Sequence, residues 1–281
     1  MFNCFCCQPP GYQLLSLGRR ALLASLAASA VVPAFASPGA APASAGPADP
    51  HIIDDLVTAN HILYDQGVVD GFGHISVRHD KDPNRYLLSR SIAPALVTTD
   101  DIMEYDLDSN PVDAAGRISY LERFIHGEIY KRRPDVVSIV HSHSVSVIPF
   151  ADTGVPLRPM NHMAGFLASG VPVFEIRKTA GPASNMLISN DKLGRALATT
   201  LGGHSVALMR GHGSVAAAQS IRHVVMRAVY TEVNARMQAD ALRLGTPVYL
   251  NKEEGAAATR TNDALVDRPW SLWKQHALAA R

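Results

Sequence analysis

Val136-Val-Ser-Ile-Val-His-Ser-His143 is a short apolar run that ends in two histidines, two residues apart. Valine and isoleucine in such a run favour a strand, and residues i and i+2 of a strand point to the same face. His141 and His143 therefore project side by side. Two neutral imidazole nitrogens at a strand end are half of a metal site. Fold and function turn on whether the rest of the chain completes it.

Downstream, Ser205-Val-Ala-Leu-Met209 reads as a buried strand running into Arg210-Gly-His-Gly213. Glycine on both sides of His212 allows a tight turn and a close ligand approach. Upstream, Ser119 to Tyr130 reads as a helix placed just before the histidine strand. Ser119 and Glu122 match the S-x-x-E capping box, a role that by itself accounts for the glutamate. Glu122 and His126, four apart, share a face. Three imidazoles with a fourth position open are the pattern of a catalytic zinc or other divalent-metal site. Glu122 then stands as a carboxylate ligand or a general base. Each residue alone has an ordinary structural explanation; the combination points to a metal.

The remaining pattern sets the fold class. Ile52 to Gln66 carries a helical apolar stripe stopped by Gly67, and 191–201 reads as a helix capped by Ser189 or Asn190. Gly71 to His79, 85–89, 102–107 and 171–176 read as strands separated by turn signals. Ser220 to Leu244 is a long amphipathic helix closed by Gly245. Strands and helices do not alternate regularly, and no G-x-G-x-x-G opens a helix. The expectation is a single α/β domain, a mixed sheet layered with helices, and no dinucleotide fold.

The chain has 281 residues, 47% hydrophobic and 18% charged, with net charge +1, which gives no footprint for nucleic acid. Arg19-Arg20, the apolar stretch 21–32 and Ala34-Phe-Ala36 have the parts of an export signal of twin-arginine type. The apolar stretch is too short to span a bilayer, so stable membrane insertion is not expected. The expected organisation is a signal at 1–36, a flexible linker at 37–50, the domain at 51–250 and a C-terminal tail at 251–281. The location would be periplasmic or secreted, or cytoplasmic if the leader is an artefact of the start site. All three cysteines (Cys4, Cys6 and Cys7) precede Arg19, so the mature chain would hold neither disulfides nor cysteine chemistry.

Glu122…His126…Arg133-Pro-Asp135…His141-Ser-His143…Gly211-His-Gly213 resembles the class II aldolase/adducin family over about residues 50–245. The resemblance implies an α/β/α domain that assembles as a homotetramer and takes a small-molecule substrate. It also implies a divalent metal, zinc first, with manganese or iron open, held by His141, His143 and His212. Glu122 matches the family's acid/base residue. The implied activity is that of a carbon–carbon lyase of aldolase type, acting on a small hydroxylated carbonyl or carboxylic acid through a metal-stabilised enediolate.

Departures from the sugar-phosphate members matter. Gly73-His-Ile-Ser76, Ser89-Arg-Ser-Ile-Ala-Pro94 and Ser119-Tyr-Leu-Glu122 place bulk where a phosphate cradle needs glycine and small hydroxyls. These forms resemble the branch with aromatic-acid decarboxylases and non-haem iron oxygenases. A decarboxylase or oxygenase of a hydroxy-aromatic acid is therefore the alternative. Arg90 becomes a candidate carboxylate clamp, with His74, Ser76 and His162 as further candidate substrate contacts. An adducin-like binding module without chemistry is the third reading, and the complete ligand set argues against it.

Overall fold

The structure, a computed structural model, describes residues 42–279. The expected signal at 1–36 lies outside the described residues. Helix α1 (Pro50–Asp65) starts where Asp49 accepts a hydrogen bond from the His51 N–H and Pro50 takes the first turn, where its missing donor costs nothing. The other helices are α2 (Phe124–Arg132), α3 (Ile148–Asp152), α4 (Arg177–Ala180), α5 (Asp191–Leu201), α6 (Ile221–Leu244), α7 (Lys252–Asp263) and α8 (Asp267–Ala279).

Seven strands form one mixed sheet: β1 (His74–Arg78), β2 (Arg85–Ser89), β3 (Ile102–Asp106), β4 (Ser138–Ser142), β5 (Val173–Phe174), β6 (Val206–Met209) and β7 (Gly213–Ala218). Their order is β3-β2-β1-β4-β7-β6-β5; neighbours run antiparallel except β5 and β6. Strand alternation divides the core in two. Ile75, Val77, Val140, Val206, Leu208, Ala216 and Ala218 pack with α1, α6 and α8. Ile139, Ala207, Met209, Val215 and Ala217 face the other way, against α2 and α5. Helices on both faces of the mixed sheet make the expected α/β/α layering.

This alternation aims the opening histidine. His141 shares the parity of Ile139 and so points to the α2 side, opposite His74 on β1 and Val215 on β7. Gly213 is required where β7 begins: a Cβ there would sit 2.0 Å from the Ser142 oxygen.

Several expectations need correcting. Residues 42–49, assigned to a flexible linker, lie against the sheet: Ser44 Oγ and the Ala45 N–H donate to Glu104 at 2.6 and 2.8 Å. The 251–281 tail is helical over α7 and α8, with Trp270 and Trp273 buried in the core. The Ser119 capping box does not form. Ser119 accepts from the Tyr105 hydroxyl instead, and a 3-10 turn at Leu121–Arg123 precedes α2. Strand β5 is two residues long because its continuation coils into α4. Strand β7 was not expected: it is buried on both faces, so it shows no polar alternation.

Polar residues also hold helix α6 in place. Asn234 and Gln238, fully buried, exchange hydrogen bonds with the main chain at Pro156, Arg158 and Met160, tying the connection after β4 to the helix.

Candidate metal centre

Four side chains from three parts of the chain meet at one point. Their ligand atoms, from Glu122, His141, His143 and His212, all lie within 4.8 Å of one another. His143 Nε2 is 3.1 Å from His141 Nε2 and 3.0 Å from His212 Nε2. Glu122 Oε2 is 3.4 Å from His141 Nε2 and 3.3 Å from His212 Nε2. Ligands on a tetrahedral zinc ion, about 2.05 Å from the metal, sit roughly 3.3 Å apart.

The far side of each ring supports the fit. His141 Nδ1 lies 3.1 Å from the Ser214 carbonyl and His212 Nδ1 lies 2.8 Å from the Met186 carbonyl. A carbonyl only accepts, so both Nδ1 atoms carry the proton and both Nε2 atoms aim a lone pair at the shared point. His143 Nε2 can donate to one of them at most. The surplus of lone pairs suits a cation and little else. Glu122 is fixed in the same manner, its Oε1 accepting from the Ile188 N–H at 2.8 Å.

Burial alone would raise the Glu122 pKa, but His141 and His212 beside it prevail and hold the carboxyl well below the usual carboxylate range. Burial, reinforced by His141 and His212, lowers His143 to about 4, which keeps it neutral as a ligand must be. The donor set of neutral imidazoles and an ionised carboxylate fits a divalent transition metal.

A cavity of about 460 Å³ opens beside the cluster, lined among others by Phe72, His74, Ile92, Tyr120, Leu121, Glu122, His143 and Leu187. Among the described residues, no lysine or arginine lines it. His74 stands in the wall with its ring 4.5 Å from that of Tyr120, and its Nδ1 is 2.7 Å from His126 Nε2.

The structure brings some of the expected substrate contacts here and not others. His74 belongs to the cavity. Ser76 lies beneath it, bonded to His126 Nδ1 at 2.6 Å and to the Tyr130 hydroxyl at 2.8 Å. Arg90 turns away and pairs with Asp101 at 2.5 Å, so it does not line the cavity. His162 is exposed at the start of another 3-10 turn (His162–Ser169), and its carbonyl accepts from Asn262. The Met186 carbonyl and the Ile188 N–H escaped sequence reading because main-chain groups leave no signature in residue identity. Phe72, Tyr120 and Leu121 had a usable one: they flank the glycine turn and Glu122.

A mixed seven-stranded sheet sandwiched by helices, with three histidines and a glutamate converging beside a cleft, defines an α/β scaffold that carries a candidate metal-binding group. The family model for the class II aldolase and adducin N-terminal domain matches residues 54–239, and the chain belongs to that family. It is 37% identical to the decarboxylase tropJ of Talaromyces stipitatus, over 78% of this chain and 91% of that protein. It is 28% identical to a 3,4-dihydroxyphthalate decarboxylase of Arthrobacter keyseri, over 68% of this chain and 78% of the other. The fold is shared with an L-fuculose 1-phosphate aldolase from Glaciozyma antarctica, with TM-score 0.67 and 20% identity, covering 81% of this chain and 88% of that one.

Proposed function

We propose that the chain is a divalent-metal-dependent carbon–carbon lyase, and that it removes carbon dioxide from a hydroxy-aromatic acid. The observation that carries the reading is the cavity: apolar and aromatic walls from Phe72, Ile92, Tyr120 and Leu121 beside a metal centre, with no lysine or arginine among the described lining residues to hold a phosphate. The decarboxylase relatives support the same choice. The aldolase reaction expected first from the sequence uses the same centre, and it is the second reading. His141, His143 and His212 would hold the ion, with Glu122 as a fourth ligand at rest; zinc remains the first expectation.

When bound, the ion would supply Lewis-acid stabilisation of negative charge on the substrate oxygens. The rest falls to this chain. Glu122, ionised at rest, takes the proton of the substrate hydroxyl. It then delivers that proton to the ring carbon bearing the carboxylate, giving a keto form. The C–C bond breaks, carbon dioxide leaves, and its bonding pair restores the aromatic ring as a phenolate, which takes one proton from solvent. Phe72, Leu121, His74 and Tyr120 line the cavity, with the His74 and Tyr120 rings in contact at 4.5 Å, and offer the substrate ring apolar and aromatic surface.

The test is a panel of hydroxybenzoates and hydroxyphthalates offered to metal-loaded protein in deuterium oxide. Carbon dioxide release with one deuterium at the vacated ring carbon is expected. Aldehyde release from hydroxy-carbonyl substrates instead would select the aldolase reading. Among the described residues no helix is long and apolar enough to cross a membrane. Export is proposed on the signal-like stretch at 1–36 and assembly as a homotetramer on the family resemblance, and cell fractionation and solution mass measurement test them.

A further inference from the structure

We propose that Glu232, on α6, is a positioning residue for the metal centre: it holds the turn that carries His143. The inference rests on the metal-centre reading above. Glu232 is 2% exposed. Its Oε2 accepts from the Ser144 hydroxyl, and its Oε1 accepts from the Ser146 hydroxyl at 2.5 Å and from Arg236 at 3.2 Å. Ser144 and Ser146 are the first and third residues after His143. The Ser144 carbonyl in turn accepts from the N–H groups of Val147 and Ile148, where the chain bends into α3.

His143 needs such support more than the other two imidazoles. His141 sits inside β4, held by ladder pairing and by the Ser214 carbonyl at its Nδ1. His212 is held at Nδ1 by the Met186 carbonyl. His143 lies one residue beyond the end of β4, and among the described residues its Nδ1 has no hydrogen-bond partner. Its ring is therefore aimed by its backbone, and the backbone is pinned just after it by Glu232. A buried carboxylate is costly to desolvate, and an apolar side chain of similar size would pack α6 at least as well. What the carboxylate supplies is two directed acceptors for two hydroxyls on one short turn.

The experiment compares metal binding by the wild-type full chain with Glu232→Ala, Glu232→Gln, Ser146→Ala and, as a control, Glu128→Gln. Glu128 is equally buried but is paired with Lys131 on α2. Zinc affinity is read by chelator competition, and ligand geometry by the visible spectrum of the cobalt-substituted protein. Loss of an outer-shell partner commonly weakens metal binding about tenfold or more. That loss, with an altered cobalt spectrum, is expected for Glu232→Ala. A smaller loss is expected for Glu232→Gln, which keeps one acceptor, and for Ser146→Ala. Glu128→Gln should lower the melting temperature and leave affinity and spectrum unmoved. Should Glu232→Ala not fold, the Gln and Ser146 variants decide. Wild-type affinity and spectrum in folded variants would overturn the proposal; failure of the wild type itself to bind metal would overturn the centre instead.

Discussion

The Nδ1 atom of His212 lies 2.8 Å from the main-chain oxygen of Met186, and Met186 holds a left-handed φ of 71°. A side chain other than glycine, asparagine or aspartate in that region is strained by roughly 1–2 kcal/mol. The strain has a visible return. The conformation turns the Met186 carbonyl toward His212, and two residues on, the Ile188 N–H meets Glu122. One short loop thus orients two of the four groups of the centre, and Ser184 Oγ holds it by accepting from the Met186 N–H.

Replacing His212 by alanine should therefore abolish stoichiometric metal occupancy while the sheet stays folded, since the ring is at the end of the turn rather than in the core. Elemental analysis after dialysis, alongside circular dichroism, checks this. Metal retained at one ion per chain would remove His212 from the ligand set.

Glu122→Gln separates binding from proton transfer. The glutamine oxygen can still accept from Ile188, so the side chain should keep its place. What disappears is the charge and the basic site. Turnover should fall by about 10²–10⁴-fold, the range for removal of a general acid–base group. Metal content should fall far less. Measuring both on the same preparation is needed, because equal losses would make Glu122 a ligand without a proton-transfer role.

Arg90→Met distinguishes the sequence reading of this arginine from its structural one. The ion pair with Asp101 is partly exposed, so its loss should cost about 1 kcal/mol or less. KM for an aromatic acid should be unchanged within about twofold, because Arg90 does not line the cavity. A tenfold rise in KM would restore the carboxylate clamp.

These cases mark what residue identity can reveal. His141 was legible because strand alternation fixes side-chain direction without knowledge of the partner strand; His143, one residue past the end of β4, still converges with it. The α6 boundaries were legible from Ser220 and Gly245, which cap it. Ser119 and Glu122 misled because a capping box and a site glutamate share one pattern; tertiary partners, Tyr105 and Ile188, decided between them. Arg90 was placed near the substrate by the loop it occupies, and Asp101, eleven residues on, claimed it. The helices after residue 250 carry signals of their own. Asn251 and Glu254 form a capping box, and Trp270 and Trp273 repeat at helical spacing.

The acid limb of stability follows from the histidines buried between β1 and α2. His126 is fully buried, and burial, followed by the neighbouring His141, depresses its pKa to about 3; burial also pushes His74 well below its ordinary value. In the unfolded chain both return to about 6.5. The unfolded state therefore binds more protons as the pH drops below that value, so stability is complete above it and falls as the pH moves from about 6.5 toward 3. For His126 the slope approaches ~1.4 kcal/mol per pH unit in that window, and His74 adds to it in the same direction. Urea titrations of metal-free protein at several pH values measure it. His126→Asn, which can still hydrogen-bond to Ser76, should reduce the slope by about one proton. An unchanged slope in that variant would mean that His126 is protonated in the folded protein, and that its hydrogen bonds to His74 and Ser76 are arranged otherwise.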